Sequence, residues 1–433
     1  MARLGARIRK GTMETMKTLG TAAVVRSPMT PVTNVAKAFS VPGMLQSPTV
    51  GQGLKTTNGN MVRLGDVATY INGYAFKPAD WSTEGVLIIR IQDLTGNSYK
   101  ANRFKGKIDK RYEVLNGDVL ISWSASLGVY VWSGEKAVLN QHIFKVQFDK
   151  TQVDKSFFVH QVECILKRAI GEAHGATMKH LTKPAFDALP FYLPDIQKQK
   201  AIADSLDKIS HLIALRKRQL SKLDELVKSR FVEMFGKCLL EVAIPEICTI
   251  IDGDRGKNYP TQGDFSPEGY CLFLNAKNVT KHGFVFKTTS FITQMKDESL
   301  RKGKLVRGDI VLTTRGTIGN IAFFDRNVPY DNVRINSGMV ILRVDDNHVN
   351  PVYFIQALKS KIQDVVHRLV SGTAQPQLPI SIMSKIRLPL PPLALQREFA
   401  AFVAKVDKLA FKAKTSLEKL ETLKKAMMQK YFN

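Results

Sequence analysis

Apolar residues fall in a four-three rhythm in two stretches of this chain. After Pro194 they stand at Ile202, Leu206, Ile209, Ile213, Leu220, Leu223 and Val227, a rhythm broken only by Arg216. Near the end of the chain Phe399, Val403, Val406, Ala410, Ala413, Leu417 and Leu420 repeat it. The spacing predicts a long helix with a heptad seam in each stretch. Pro194 and Pro391 stand where helix starts tolerate proline, and Gly236 stops the first helix. One such stripe would pack on its own domain; two matched seams favour the helices packing on each other, antiparallel. A helix over 194–236 is roughly 60 Å long at 1.5 Å per residue. Elsewhere the apolar runs are short. "GVLIIRI" (85–91) and "GDIVLTT" (308–314) have strand length and are bounded by Gly, Asp and Asn, and helical pieces follow over 157–168 and 351–369. The expected class is α+β.

The pattern occurs twice. "VRLGDVATYINGYAFK" (62–77) aligns with "VAIPEICTIIDGDRGK" (242–257), pairing Gly73 with Gly253 and Lys77 with Lys257. "GVLIIRIQDLT" (85–95) parallels "YCLFLNAKNVT" (270–280), and "NGDVLISWSASLG" (116–128) parallels "RGDIVLTTRGTIG" (307–319). "HGATMKHL" (174–181) then matches "SGTAQPQL" (371–378), and 193–209 matches 390–406. Five blocks in one order make an internal duplication, with a period near 190 residues that is too long for a solenoid. The expected organisation is a basic extension over 1–60, globular units over 61–192 and 237–388, and a helical segment after each, 193–236 and 389–433.

Charge adds the partner. Lys and Arg outnumber Asp and Glu by 63 to 38, a net +25. A basic balance of this size points to a polyanion, with nucleic acid first among them; a surface charged only for solubility is the duller reading. The first 60 residues hold eight Lys/Arg against Glu14 alone, so removing them leaves about +18 and the argument intact. That segment reads as a transit peptide, a disordered tail, or sequence upstream of a start at Met61. No apolar run approaches the ~18 residues that span a bilayer. Cys164, Cys238, Cys248 and Cys271 show no metal-ligand spacing and are expected to be buried thiols in a reducing cytoplasm.

Positions identical in both halves serve the scaffold. Gly117 and Gly308 fit a turn feeding a strand, and Gly128 and Gly319 fit close approach or positive φ. The polar positions differ: Arg90 faces Asn275, Gln92 Lys277, Ser124 Arg315, Met178 Gln375 and His180 Gln377. Arg or Lys reads guanine and Asn or Gln reads adenine in the major groove, so a duplicated scaffold with unlike readers recognises two unlike sequences. The candidate DNA-binding residues are Lys77, Arg90, Gln92, Ser124, Ser126, Lys179 and His180 for one half-site. For the other they are Arg255, Lys257, Asn258, Asn275, Lys277, Arg315, Thr317, Gln375 and Gln377. Lys77 and Lys257 are expected to hold phosphates. Arg315 as a strand-end cap and Lys257 as part of a solvated loop are the plainer alternatives.

With those residues in view the chain resembles the specificity subunit of type I restriction-modification systems. "LPDIQKQKAIADSLDKISHLIALRKRQLSKLDELVKSRFVEMFG" (193–236), its weaker repeat "LPLPPLALQREFAAF" (388–402), "INGYAF" (71–76) and "GDRGKNYP" (253–260) carry the resemblance, which covers about 61–433. It implies two target recognition domains, each followed by a helix, and a bipartite asymmetric double-stranded DNA target with a nonspecific spacer. It also implies assembly with two adenine-methylating modification subunits, and with two restriction subunits when DNA is cleaved. No cofactor is expected in this chain; S-adenosylmethionine, and ATP and Mg for restriction, belong to the partners. The second closing helix has fewer acidic residues than the family's pattern, and the basic start is not part of it.

Catalysis by the chain itself finds no motif. An adenine methyltransferase needs an Asn/Asp-Pro-Pro-aromatic motif, and "NVPY" (327–330) carries Val328 where the first proline belongs. "DGDRGKN" (252–258) has glycines three apart and Asn258 where a phosphate loop needs Ser/Thr. A stand-alone or type II-like recognition subunit is the next reading. A coiled-coil adaptor explains the seams but neither the charge nor the unlike readers.

Overall fold

The computed structural model describes residues 60–96, 101–124, 126–172, 182–370 and 377–432. The expected basic extension, Lys179, His180 and Gln375 lie outside them. Described residues up to Leu212, together with those from Thr422, form one compact unit, and Ile213–Glu421 forms the other. The class is α+β, as the periodicities predict.

Both units use one topology. In the first, a four-stranded antiparallel sheet runs in the order Thr69–Asn72, Ile143–Gln147, Val119–Ser122, Gly128–Val131. In the second the order is Cys248–Asp252, Met339–Val344, Ile310–Thr313, Ile321–Phe323. Each unit adds a parallel pair, Val86–Ile89 with Ala137–Leu139 and Cys271–Phe273 with Val333–Arg334, in the register Leu87 to Ala137 and Leu272 to Val333. Each is closed by an antiparallel pair, Asn60–Arg63 with Pro190–Leu193 and Glu241–Ala243 with Arg387–Pro389.

The matched residues do matched work. Gly117 and Gly308 have φ of 91° and 97°, and the Asp after each accepts from a backbone N–H three residues back, Leu115 and Val306, at 2.8 Å. That turn feeds the buried strand of each sheet. A Cβ on Gly73 would lie 1.9 Å from the Asn140 carbonyl oxygen, and one on Gly253 would lie 2.3 Å from that of Asn336. Gln199 and Gln396 are both buried. Their amides donate to the Pro194 and Pro391 carbonyls at 2.8 Å, and their oxygens accept from the backbone of Asp154 and Asn350. These bonds tie each long helix to the start of an earlier helix of the same unit, Lys155–Glu172 or Pro351–Val370. The prolines thus sit two residues before the helices, which begin at Ile196 and Leu393, and act through their carbonyls rather than as first helical residues.

The long helices, Ile196–Phe235 and Leu393–Phe432, contribute to both units. In the first unit Ile202, Ala203 and Leu206 share a core with Met428 and Phe432. In the second, Val227, Phe231 and Phe235 share one with Phe399, Val403 and Val406, and the Phe231 and Phe399 rings are 5.6 Å apart. The start of one helix therefore meets the end of the other, an antiparallel contact. Arg216, the break in the heptad rhythm, donates to Ser416 Oγ at 3.2 Å, and Lys217 pairs with Glu421 at 3.0 Å. Of the seam residues, Ile209 and Ile213 are also buried, whereas Leu220, Leu223, Leu417 and Leu420 are half-buried. The cysteines are free, but only Cys248 and Cys271 are buried; Cys164 and Cys238 lie half-exposed, which corrects the expectation of four buried thiols.

Candidate nucleic-acid interface

In each unit one short turn gathers the strand-end loops that carry the candidate readers. In the first it is Asn140–Gln141–His142. The Asn140 N–H donates to the Ile89 carbonyl at 3.1 Å, next to Arg90. The Gln141 N–H donates to the Tyr74 carbonyl at 2.9 Å, and the His142 carbonyl accepts from the Trp123 N–H at 3.2 Å, next to Ser124. Three loops distant in sequence are thereby held side by side.

Within that cluster Lys77 and Ser126 are exposed, Arg90 and Gln92 half-buried and Ser124 buried. Ser124, 5% exposed, is poorly placed to reach a base edge; the exposed hydroxyl of this loop is Ser126. Arg90 caps the short turn Ile91–Leu94, its N–H donating to Asp93 Oδ2 at 2.8 Å. Its guanidinium lies 5.5 Å from the exposed Trp81 ring and 4.0 Å from the Asp93 carboxylate. A planar cation held against an aromatic face has less rotamer freedom to lose on contact with a base.

In the second unit the turn is Asn336–Ser337–Gly338. The Gly338 carbonyl accepts from the N–H groups of Thr314 (2.8 Å) and Arg315 (3.2 Å), and the Arg255 guanidinium donates to the Ser337 carbonyl at 3.2 Å. Arg315 also forms an antiparallel bridge to Gln377, with the Leu378 N–H donating to the Thr314 carbonyl at 2.9 Å. Arg255, Arg315, Gln377 and Thr317 are all exposed in this patch. Asn275 starts the equivalent of the Arg90 turn, its N–H donating to Asn278 Oδ1 at 2.9 Å. The Arg90–Asn275 alignment thus holds in three dimensions. Asn275 Oδ1 accepts from the exposed Lys277's N–H, leaving its amide nitrogen as the group to offer a base.

Lys77 and Lys257 do not correspond. The N–H of Lys77 donates to Asp80 and that of Thr261 donates to Asp264, each three residues on, so the partner of Lys77 is Thr261. Lys257 belongs to a longer loop of the second unit. Asp254 organises this loop, accepting from the N–H groups of Gly256 and Arg301 at 2.7 Å; those bonds hold its carboxyl below the usual range. Asn258 is spent in part on the same task, its amide donating to the Ser299 carbonyl at 3.0 Å. Exposed Arg301 and Lys302, on the facing segment, extend the basic surface.

The two gathering turns were not among the sequence candidates. "NQH" (140–142) and "NSG" (336–338), each just before the last sheet strand, share their Asn and offered the signal. Among the described residues no group of His, Cys, Asp or Glu is arranged to hold a metal ion, and no helix is long and apolar enough to cross a membrane.

A repeated scaffold of this fold, with unlike basic and amide-bearing loops gathered at one turn in each copy, defines a two-headed nucleic-acid reader. Residues 58–225 and 240–422 each match the type I restriction modification DNA specificity domain, and the chain belongs to that family. Its part is DNA recognition, within a complex that acts on DNA, and not catalysis. It is 23% identical over 410 residues to the type I restriction enzyme EcoBI specificity subunit of Escherichia coli, covering 86% of this chain and 85% of that one. It is 24% identical over 391 residues to the MjaVIII specificity subunit of Methanocaldococcus jannaschii, covering 85% and 90%. The solved type I S subunit from M. genitalium shares the fold, with a TM-score of 0.53 at 17% identity over 88% of this chain and 98% of that one.

Proposed function

We propose that this specificity subunit reads a bipartite, asymmetric DNA target, one half-site per unit, and directs adenine methylation, or restriction, by its partners. The observation that carries the reading is the contrast between the copies. Glycines, turn aspartates and buried glutamines do identical jobs, while exposed Lys77, Ser126 and half-buried Arg90 and Gln92 give way to Asn275, Lys277, Arg315, Thr317 and Gln377. A scaffold that keeps its sheets and turns and varies the donors on its loops selects two different sequences. Lys179, His180 and Gln375 complete the proposed reading loops. Arg255, Lys257 and Asn258 approach the phosphates, which set affinity rather than specificity.

The seam from Ile202 to Leu223 and its counterpart from Phe399 to Leu420 form an antiparallel coiled coil that fixes the spacer between half-sites. Two methyltransferase subunits assemble on the chain, and two restriction subunits join them for cleavage. S-adenosylmethionine, ATP and Mg serve those partners, and the complex works in the cytoplasm. Selection of duplexes from a random library by the chain with its methyltransferase partners tests this. A two-part motif with one fixed gap is expected; a single uninterrupted motif would overturn it.

A further inference from the structure

Trp81 stands 45% exposed on the loop that begins at Lys77, and its backbone is placed as Phe265 is in the second unit. The Trp81 N–H donates to the Pro78 carbonyl at 3.2 Å and the Phe265 N–H to that of Gln262 at 3.5 Å, both residues being extended. The residue after each, Ser82 or Ser266, then forms an antiparallel bridge. One backbone thus presents an aromatic ring in both units, and the two rings go different ways. Phe265 is half-buried against a cluster that includes Cys271 and Phe273, its centroid 5.5 Å from that of Phe273. In the first unit Ile88 takes the place of Phe273, and the cluster there is built on Phe76, Ile88 and Val138, with Trp81 outside it.

A single exposed aromatic residue is ordinary. What marks this one is its neighbour. The Arg90 guanidinium lies 5.5 Å from the Trp81 ring centroid, whereas the residue at that position in the second unit is the uncharged Asn275. The outward ring therefore belongs to the unit that has a guanidinium to hold. Other restraint on that group is slight. Asp93 Oδ2 already accepts the Arg90 backbone N–H at 2.8 Å and stands 4.0 Å from Nε, which is buried without a hydrogen bond. A long side chain with few bonds gives up rotamer freedom when it binds, and a flat aromatic face removes part of that freedom beforehand.

We infer that Trp81 is a positioning residue for the first half-site, its indole face holding the Arg90 guanidinium ready for a base edge, a task with no counterpart at Phe265. The inference rests on reading Arg90 as a base contact.

Trp81→Ala, Trp81→Phe, Arg90→Ala and the Trp81→Ala/Arg90→Ala double variant test it. Binding of the chain with its methyltransferase partners to its target duplex, and to duplexes changed at single bases, gives the discrimination; thermal unfolding of the purified chain gives the stability. Trp81→Ala is expected to lower discrimination by about three- to fivefold at the one base where Arg90→Ala lowers it, with the second half-site and the unfolding temperature unchanged. Trp81→Phe, which keeps a face, is expected to retain most of the discrimination, and the double variant to be no worse than Arg90→Ala. Full discrimination at that base in a folded Trp81→Ala protein, a loss spread evenly over all bases, or losses that add in the double variant would overturn the inference. If Arg90→Ala costs discrimination and Trp81→Ala does not, the inference about Trp81 fails alone; if neither does, the reading of Arg90 fails with it.

Discussion

Arg315 and Lys257 lie in one unit but are asked to do different physics. Arg315 is exposed at a strand end, its backbone fixed by Gly338 and bridged to Gln377. Arg315→Ala is expected to relax discrimination at one base of one half-site by about 1–3 kcal/mol and to spare the other. Uniform weakening on all sequences would show a phosphate contact instead. Lys257→Ala is expected to weaken binding uniformly and lower the slope of log affinity against log salt by about 1. An unchanged slope would remove it from the interface. Behind this patch, Asp297 and Arg334 are both almost fully buried and paired, and Arg334 also donates to the Lys302 carbonyl at 2.7 Å, bracing the segment that carries Arg301. Burial pushes the Asp297 carboxyl up, but Lys304 and Arg334 outweigh it and hold it below the usual range. A depressed pKa means stability present above the unfolded-state value and lost as pH falls through the folded one. Asp297→Asn leaves a buried guanidinium uncompensated, so a loss of about 3–5 kcal/mol and a weaker acid dependence of unfolding are expected. Wild-type stability in the variant, measured by denaturant titration, would contradict that role. The sequence singled out Arg315 because its partner in the duplication is a serine. It could not single out Asp297 and Arg334, whose meeting depends on tertiary packing.

At the scale of elements, what was periodic or duplicated was legible and what was gathered was not. The four-three rhythm located both long helices, because burial of one face repeats along the chain, and the block order anticipated one topology used twice. The pairing of Lys77 with Lys257 failed because a loop insertion after Gly253 shifts the register, and identity of residue type concealed it. The gathering turns escaped because their role lies in hydrogen bonds to loops far away in sequence. The helices themselves carry a prediction. Insertion of one heptad into each, between Leu206 and Phe231 and at the facing position of 393–432, keeps the apolar seam and adds about 10 Å at 1.5 Å per residue. The gap between half-sites is expected to grow by about three base pairs at roughly 3.4 Å per pair, with both half-site sequences kept. An unchanged gap would remove the helices as the ruler.

For the molecule as a whole, duplication supplies two units of one fold, the net charge suits a DNA partner, and the loops that differ between the units are the part proposed to make the two readings differ. On that proposal specificity is divisible, one unit's bases changing while the other unit's stay the same. The most direct test is modified-base sequencing of DNA from cells carrying this chain, with and without its gene. A methylated-adenine motif in two unlike parts around a fixed gap, vanishing with the gene, is the predicted result. A motif that persists without the gene, or one that is a single continuous sequence, would contradict it.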